Sequence, residues 1–378
     1  MIERVGRRGR KDNQPVTLSL IAEQVGTTAA TVSRVLARPE VQAKTALAKR
    51  VWVTAKELNY RPNTLAASLR TKRSNVIGVT IPRMRDEVLA LMYEGIESVL
   101  AESGYQTLAV TTNDDPVQQK EKIELLIRRQ VDGLLIGDAL VGGAALADVR
   151  RSGMPNVLYN RRASGYTSVT CNDYVGGQLA AEHLLEITTG PLAVYAGMDY
   201  ATNLQDRARG FMDTVGAAGR SLSNNSVING SIYAEAGEEA AARLLLSPPF
   251  PEGVFLVNDM AAIGFMGECS RRGFSVGRDI KVVGFNDVSV SGITVPSLTT
   301  IRSPMNEIGR LAALTLLNKI AGKRVSSAQM NPSLIVRSST DSGLGSKPET
   351  NSRSGLASRN ASSMPSGPGA TVDRIPRL

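Results

Sequence analysis

Seven short apolar runs, separated by helix-like stretches, constrain the fold of this chain more than any other feature. They are VIGVTIP, TLAVTT, GLLIG, NVLYN, LAVYAG, VFLVND and KVVGFND, all downstream of Asn75. The stretches between them, 88–103, 115–129, 174–187, 202–218, 235–246 and 259–272, read as helices. Strands that alternate with helices predict an α/β fold whose parallel sheets are covered on both faces. There are too many units for one small sheet, so two similar doubly wound subdomains are expected. Open parallel sheets bind ligands at the carboxyl ends of their strands. A cleft between two such sheets is a natural small-molecule site. With 378 residues, 42% of them hydrophobic, the chain has room for two or three domains and a sizeable core.

The amino-terminal part has a different texture. In VTLSLIAEQVGTTAATVSRV, Leu18, Ile21, Ala22 and Val25 form one apolar helical face. Gly26 suits a left-handed helix end, and Thr27 or Thr28 can cap a second helix. Val32, Val35 and Leu36 face inward there. Ala29, Ala30, Ser33 and Arg34 share the opposite side. Such a small-residue, Arg-tipped face can enter a major groove, where Arg bonds both acceptors of guanine; a plain helical hairpin has the same apolar pattern. Leu47, Val51, Ala55 and Leu58 mark a third helix, with Trp52 beside that face.

Charge separates the two readings. Residues 1–75 carry fifteen Lys and Arg against five acids, a balance of +10, while the whole chain is +9 and the remainder therefore −1. A basic charge confined to one end is an electrostatic footprint for nucleic acid. Counterion release from phosphates would supply most of its non-specific affinity.

Residues 1–15 read as a basic flexible arm and 16–61 as the helix-turn-helix unit. Residues 62–74 follow, with Pro62 suited to the first position of a helix. A helix this short is unstable alone. The segment is either a helix that forms against a symmetry mate on DNA, or a plain linker. Residues 75–340 form the core. From Asp341 the chain is rich in Ser, Gly and Pro and is expected to be disordered. No apolar stretch is long enough to span a membrane, and no secretory signal opens the chain, so a cytoplasmic protein is expected. Cys171 and Cys269 have no metal-type spacing and read as buried free thiols. No cofactor is expected. His183, the only histidine, lies in AAEHLLE without a nucleophile motif, and no phosphate cradle is present. An enzyme is therefore not expected.

The chain resembles the LacI/GalR family of transcriptional regulators. The resemblance runs from about Val16 to Ser339 and rests on VTLSLIAEQVGTTAATVSRVL, ELNYRPNTLAASLR, VIGVTIP, GIESVLAESGY, VDGLLI, RARGF, VNDMAAIGF, IKVVGFND and PSLTTI, in the family's order. It implies a homodimer whose two heads bind near-palindromic operator DNA. It also implies a core like periplasmic sugar-binding proteins, with one subdomain over about 76–172 and 302–328 and the other over 173–301 and 329–340. Ala29, Ala30 and Arg34 align with base-reading positions. Thr17, Thr28, Thr31 and Ser33 are candidates for phosphate contacts, and Asn63 and Arg70 for further DNA contacts. Leu69 matches a leucine wedged into the minor groove, which kinks the duplex.

For the effector, the resemblance points to Asp86, Val88, Asn160, Arg161, Asn172, Arg207, Asn258 and Asn286. Many sugar-responsive members have Asp where this chain has Asn160, Asn172 and Asn286. Amides beside an Arg-lined site favour an acidic ligand. The expectation is a sugar, a sugar acid such as gluconate, or a phosphorylated sugar, with some likeness to gluconate-operon repressors. Asp86 opposes an anion. The alternatives are a sugar-binding protein without a DNA role and a corepressor-dependent regulator of nucleoside metabolism.

Overall fold

The computed structural model describes residues 16–37, 40–61, 73–140, 142–222 and 226–341. The arm at 1–15, the segment 62–72 with Asn63, Leu69 and Arg70, and the tail from 342 lie outside the described residues.

Three helices form the head: α1 (Leu18–Val25), α2 (Ala29–Leu36) and α3 (Ala46–Glu57). Each begins at a threonine whose Oγ1 accepts a backbone N–H of the first turn. Thr17 accepts from Leu20 at 3.3 Å, Thr28 from Thr31 at 3.2 Å and Thr45 from Ala48 at 3.1 Å. These bonds satisfy amides that a helix leaves open at its start. Gly26 ends α1 at φ +70°. Ile21, Ala22, Val25, Val32, Val51 and Ala55 make the small core. On α3 the buried face starts at Ala48; Leu47, expected inside, is exposed. Arg50 Nη2 donates to the Val25 carbonyl at 3.1 Å, closing the carboxyl end of α1 from the side of α3. Trp52 is half-buried and lines a recess with Leu36 and Tyr60 beside Arg61, where the described head ends.

The core holds two six-stranded sheets. The first contains β1 (Val76–Ile81), β2 (Gln106–Thr111), β3 (Gly133–Ile136), β4 (Asn156–Tyr159) and β5 (Ser168–Cys171). The second contains β6 (Leu192–Gly197), β7 (Val227–Asn229), β8 (Gly253–Leu256), β9 (Lys281–Asn286) and β10 (Thr299–Arg302). The chain then returns to add β11 (Ala328–Met330) to the first and β12 (Ser333–Ile335) to the second. The orders are β11-β5-β4-β3-β1-β2 and β12-β10-β9-β8-β6-β7. All pairings are parallel except β10 with β12. Helices α4 (Glu87–Glu102), α5 (Pro116–Arg128) and α6 (Ala145–Ser152) follow strands of the first sheet. Helices α7 (Asp173–Ile187), α8 (Thr202–Ala217), α9 (Ala234–Leu244) and α10 (Asp259–Arg271) accompany the second, and α11 (Met305–Ile320) packs back on α4.

The chain thus crosses between sheets three times: after β5, after β10 and after β11. The resemblance placed the last switch at 328/329. Parallel pairing of β11 with β5 through Met330 and Cys171 carries it on to 331–332. Helix pairs approach closely through glycine. A Cβ at Gly177 on α7 would overlap the carbonyl oxygen of Arg207 on α8, and one at Gly210 on α8 would overlap that of Tyr174 on α7. This mutual approach fixes where α8 holds Arg207. Among the described residues, no helix is long and apolar enough to cross a membrane, and no cluster of side chains could hold a metal ion.

Candidate functional site

Two sites stand on this scaffold, one on the head and one between the sheets. On α2, Ala30 and Arg34 are exposed and Ser33 is half-exposed. Arg34 has no hydrogen-bond or ionic partner among the described residues, so its guanidinium is free for an outside acceptor. Ala29, expected on the same outer face, is half-buried against the head core, which limits it to edge contact. Thr17 and Thr28 are exposed at the amino ends of α1 and α2. Their hydroxyls already cap these helices, and Thr28 Oγ1 lies 3.0 Å from Thr31 Oγ1. The head therefore offers one unpaired cationic side chain on α2 and two exposed, threonine-capped helix amino termini.

The second site lies where the carboxyl ends of the two sheets face each other. One cavity gathers Asp86, Val88, Asn160 and Arg161 from the first subdomain with Arg207, Asn258 and Asn286 from the second. Sequence reasoning missed Arg83, Met198 and Asn203, which also line it. Arg83 follows β1, Asn160 and Arg161 follow β4, Asn258 follows β8 and Asn286 ends β9. All are strand-end positions, which is the signal that could have found Arg83. Asn160 at φ +64° and Asn286 at φ +119° hold backbone conformations that few side chains tolerate.

Asn172 does not join them. Its Oδ1 caps α7, accepting from Val175 N at 3.4 Å, and its Nδ2 donates to Asn331 Oδ1 at 3.3 Å. It faces a separate groove beside Arg162 and Arg209. The residue after β5 begins α7 at once, so the amide is spent on the helix start.

The electrostatics of the cavity differ from an Arg-lined anion site. Arg161 is buried, and its Nη1 and Nη2 donate to Asp114 Oδ1 and Oδ2 at 2.8 and 3.2 Å. Arg83 also pairs with Asp114 and lies 3.6 Å from Asp86. Arg207 Nε donates to Asp173 Oδ1 at 2.8 Å, its Nη1 donates to the Val257 carbonyl at 2.8 Å, and its guanidinium stacks 3.6 Å above Phe285. Three arginines thus meet three carboxylates, and no cationic surplus is left over. Burial pushes the Asp86 carboxyl up, opposed by Arg83 and the Val88 amide. Burial also pushes Asp173 up to about 6 against the pull of Arg207, and holds Arg161 below the usual guanidinium range.

Four polar atoms of this region are buried without a hydrogen-bond partner: Arg83 Nε, Arg161 Nε, Asn203 Oδ1 and Asn286 Oδ1. A buried group in that state destabilises the fold by about 1–3 kcal/mol unless something pairs with it. Two donors and two acceptors in one region suit a ligand with hydroxyl or amide groups.

The subdomains also bond directly across the cleft. Ser289 N and Oγ donate to Glu87 at 2.8 and 2.9 Å, Arg162 N donates to Thr202 Oγ1 at 3.1 Å, and Asn203 Nδ2 donates to Asn160 Oδ1 at 3.2 Å. The cavity is about 20 Å³, room for roughly one water. This is a closed cleft.

The remaining reactive groups lie elsewhere. His183 Nε2 is 2.9 Å from Thr340 Oγ1, tying α7 to the carboxyl end of the core. Burial pushes both thiols, Cys171 and Cys269, up to about 12, so neither is a ready nucleophile.

Comparison with known proteins agrees with this two-part plan. Residues 17–63 match the bacterial regulatory proteins of the lacI family. Residues 181–340 match the periplasmic binding protein-like domain. The chain thus joins a lacI-family DNA-binding domain to a periplasmic binding protein-like domain. It is 29% identical over 338 residues to the HTH-type transcriptional repressor CytR of Escherichia coli, covering 88% of this chain and 98% of the relative. It is 26% identical over 328 residues to the HTH-type transcriptional repressor PurR of Photobacterium profundum, covering 85% and 98%. The solved lac repressor dimer bound to operator and the anti-inducer ONPF superposes with a TM-score of 0.79 at 26% identity, covering 87% of this chain and 100% of that one. These relatives are transcriptional repressors by name.

Proposed function

We propose that this chain is a lacI-family repressor that binds a near-palindromic operator as a homodimer and is released or tightened by a neutral, hydroxyl-rich small molecule held between its subdomains. The single observation that carries this reading is the charge balance of the cleft. Arg83, Arg161 and Arg207 are answered by Asp86, Asp114 and Asp173, while amides and unpartnered polar atoms supply the rest of the lining. A neutral sugar or nucleoside meets no net charge there. A sugar acid such as gluconate would have to draw Arg161 away from Asp114, or use the single donors left over: Nε of Arg83, Nε of Arg161 and Nη2 of Arg207. The relatives CytR and PurR are repressors by name, and the similar lac repressor structure is a dimer on its operator, which supports the DNA role and the dimer.

The mechanism follows from linkage. Ligand pockets occupy roughly 300–1,000 Å³, far more than the closed cleft holds, so the effector binds as the subdomains separate and re-close around it. That motion shifts the first subdomains of the dimer. Operator affinity then changes by the factor by which the effector prefers one state over the other. Arg34 would read a guanine, with Thr17, Thr28, Thr31 and Ser33 on phosphates. Asn63, Leu69 and Arg70 would contact the operator centre, where Leu69→Ala should reduce the bend seen by a permutation assay.

Titration calorimetry of the full chain with D-glucose, uridine and D-gluconate tests the effector class. Heat from a neutral compound supports the proposal. Heat from gluconate alone overturns it.

A further inference from the structure

Asp114 does not line the cavity, yet it touches two of the three arginines that do. It sits just beyond β2, 4% exposed at the side chain, with its backbone at φ +56°. Both its oxygens are engaged by Arg161, Arg83 bonds to Oδ2, and the Tyr200 hydroxyl of the second subdomain lies 3.5 Å from the same atom. Arg161 is 2% exposed, and a charge buried that deeply must be paired. Its Nε remains without a partner, as does that of Arg83. The Nη1–Nη2 face of Arg161, which matches a carboxylate or phosphate in two-pronged fashion, is thus occupied by the protein's own carboxylate, and Arg83 gives that carboxylate one further donor. Asp138 also acts on Arg161, while its oxygens accept from the Thr80 and Thr112 hydroxyls at 2.5 and 2.6 Å.

We infer that Asp114 is the specificity determinant that keeps anions out of the effector cleft, by occupying Arg161 and Arg83. This rests on the cleft being the effector site. Asp114 is a positioning residue: it acts on the ligand through the two arginines. With its charge removed, the paired donors of Arg161 are freed for an external carboxylate or phosphate. The cleft then takes the sugar acids and sugar phosphates that the native chain rejects.

The test is calorimetry of the full-length chain and of Asp114→Asn, with D-gluconate, D-glucose 6-phosphate and D-glucose as probes. Asp114→Ser is a second route to the same charge change should the Asn variant fail to fold. The expected result is at least a tenfold gain in affinity for the two anions. Adding Arg161→Gln should remove that gain, and Asp114→Glu should leave the anions excluded. A merely structural role would weaken all probes together and leave the anion-to-glucose ratio unmoved. An unchanged anion affinity in the folded Asn or Ser variant overturns the inference. Tight gluconate binding by the native chain would overturn the neutral-ligand reading above and this inference with it, whereas an unchanged variant overturns this inference alone, so the two failures are told apart.

Discussion

In the proposed function, sequence reading by the head rests on Arg34. It is exposed on α2 and unpaired among the described residues, while Ala30 beside it has no polar atom to offer a base. Replacing it with Ala should lose about 1–3 kcal/mol at the cognate site and relax base preference there. Equal loss on every DNA sequence, in parallel anisotropy titrations, would make it a phosphate contact instead. In the cleft, Asp173 carries a pH signature. Its pKa of about 6 in the folded chain lies above the ordinary 3.8. The folded chain therefore keeps a proton that the unfolded chain has already released. From this group alone, stability falls as pH rises from about 4 to 6 and is level above. Asp173→Asn should flatten that part of a denaturant-derived stability profile; an unchanged slope would contradict burial as the cause. At this scale the sequence was partly legible. Asn160, Arg207, Asn258 and Asn286 could be placed through the family resemblance. Asp114 could not, because nothing in the spacing of TTNDDP shows that a residue after β2 will meet an arginine forty-seven positions away. Asn172 failed for the opposite reason: a local helix cap claimed the amide that the cleft was expected to use.

Elements were legible in proportion to their apolar content and periodicity. The seven apolar runs hold β1, β2, β3, β4, β6, β8 and β9, which stand where the pattern put them. The polar or very short strands β5, β7, β10, β11 and β12 did not announce themselves, since such a run is set by its neighbours in the sheet. Helix α11 carries Ile308, Ala312 and Leu316 at helical spacing, so its signal was present and overlooked. On the head, the threonine caps and Gly26 follow directly from the residue types. The Arg50 bond to the end of α1 depends on tertiary approach. The close crossing of α7 and α8 gives a prediction at this scale. Gly177→Ala pushes a methyl group into the Arg207 carbonyl. The variant should lose about 1–3 kcal/mol of stability, and its effector affinity should fall because α8 carries Arg207 away from Asp173. Calorimetry and a thermal melt together check this. A destabilised variant with native effector affinity would show that α8 accommodates the methyl without moving Arg207.

Across the whole molecule, two unlike parts divide the work. The basic charge is concentrated in residues 1–75, and the rest of the chain sums to nearly zero. Binding to DNA should therefore weaken steeply with salt, while effector binding to a charge-balanced cleft should barely respond. The closed cleft and its direct bridges, Glu87 to Ser289 and Asn203 to Asn160, supply one of the two states that linkage requires. The division into a head and two subdomains was readable from the texture of the sequence. The closure of the cleft was not, since it depends on side chains from opposite sheets meeting across a gap. The claim that joins the two parts is that this chain recognises a specific duplex. Selection of bound sequences from a random DNA pool by the full-length chain, at near-physiological salt, tests that claim most directly. The account predicts enrichment of one near-palindromic site with a guanine recurring in each half, bound with a steep inverse dependence on salt. Recovery of a pool no different from the input would contradict it.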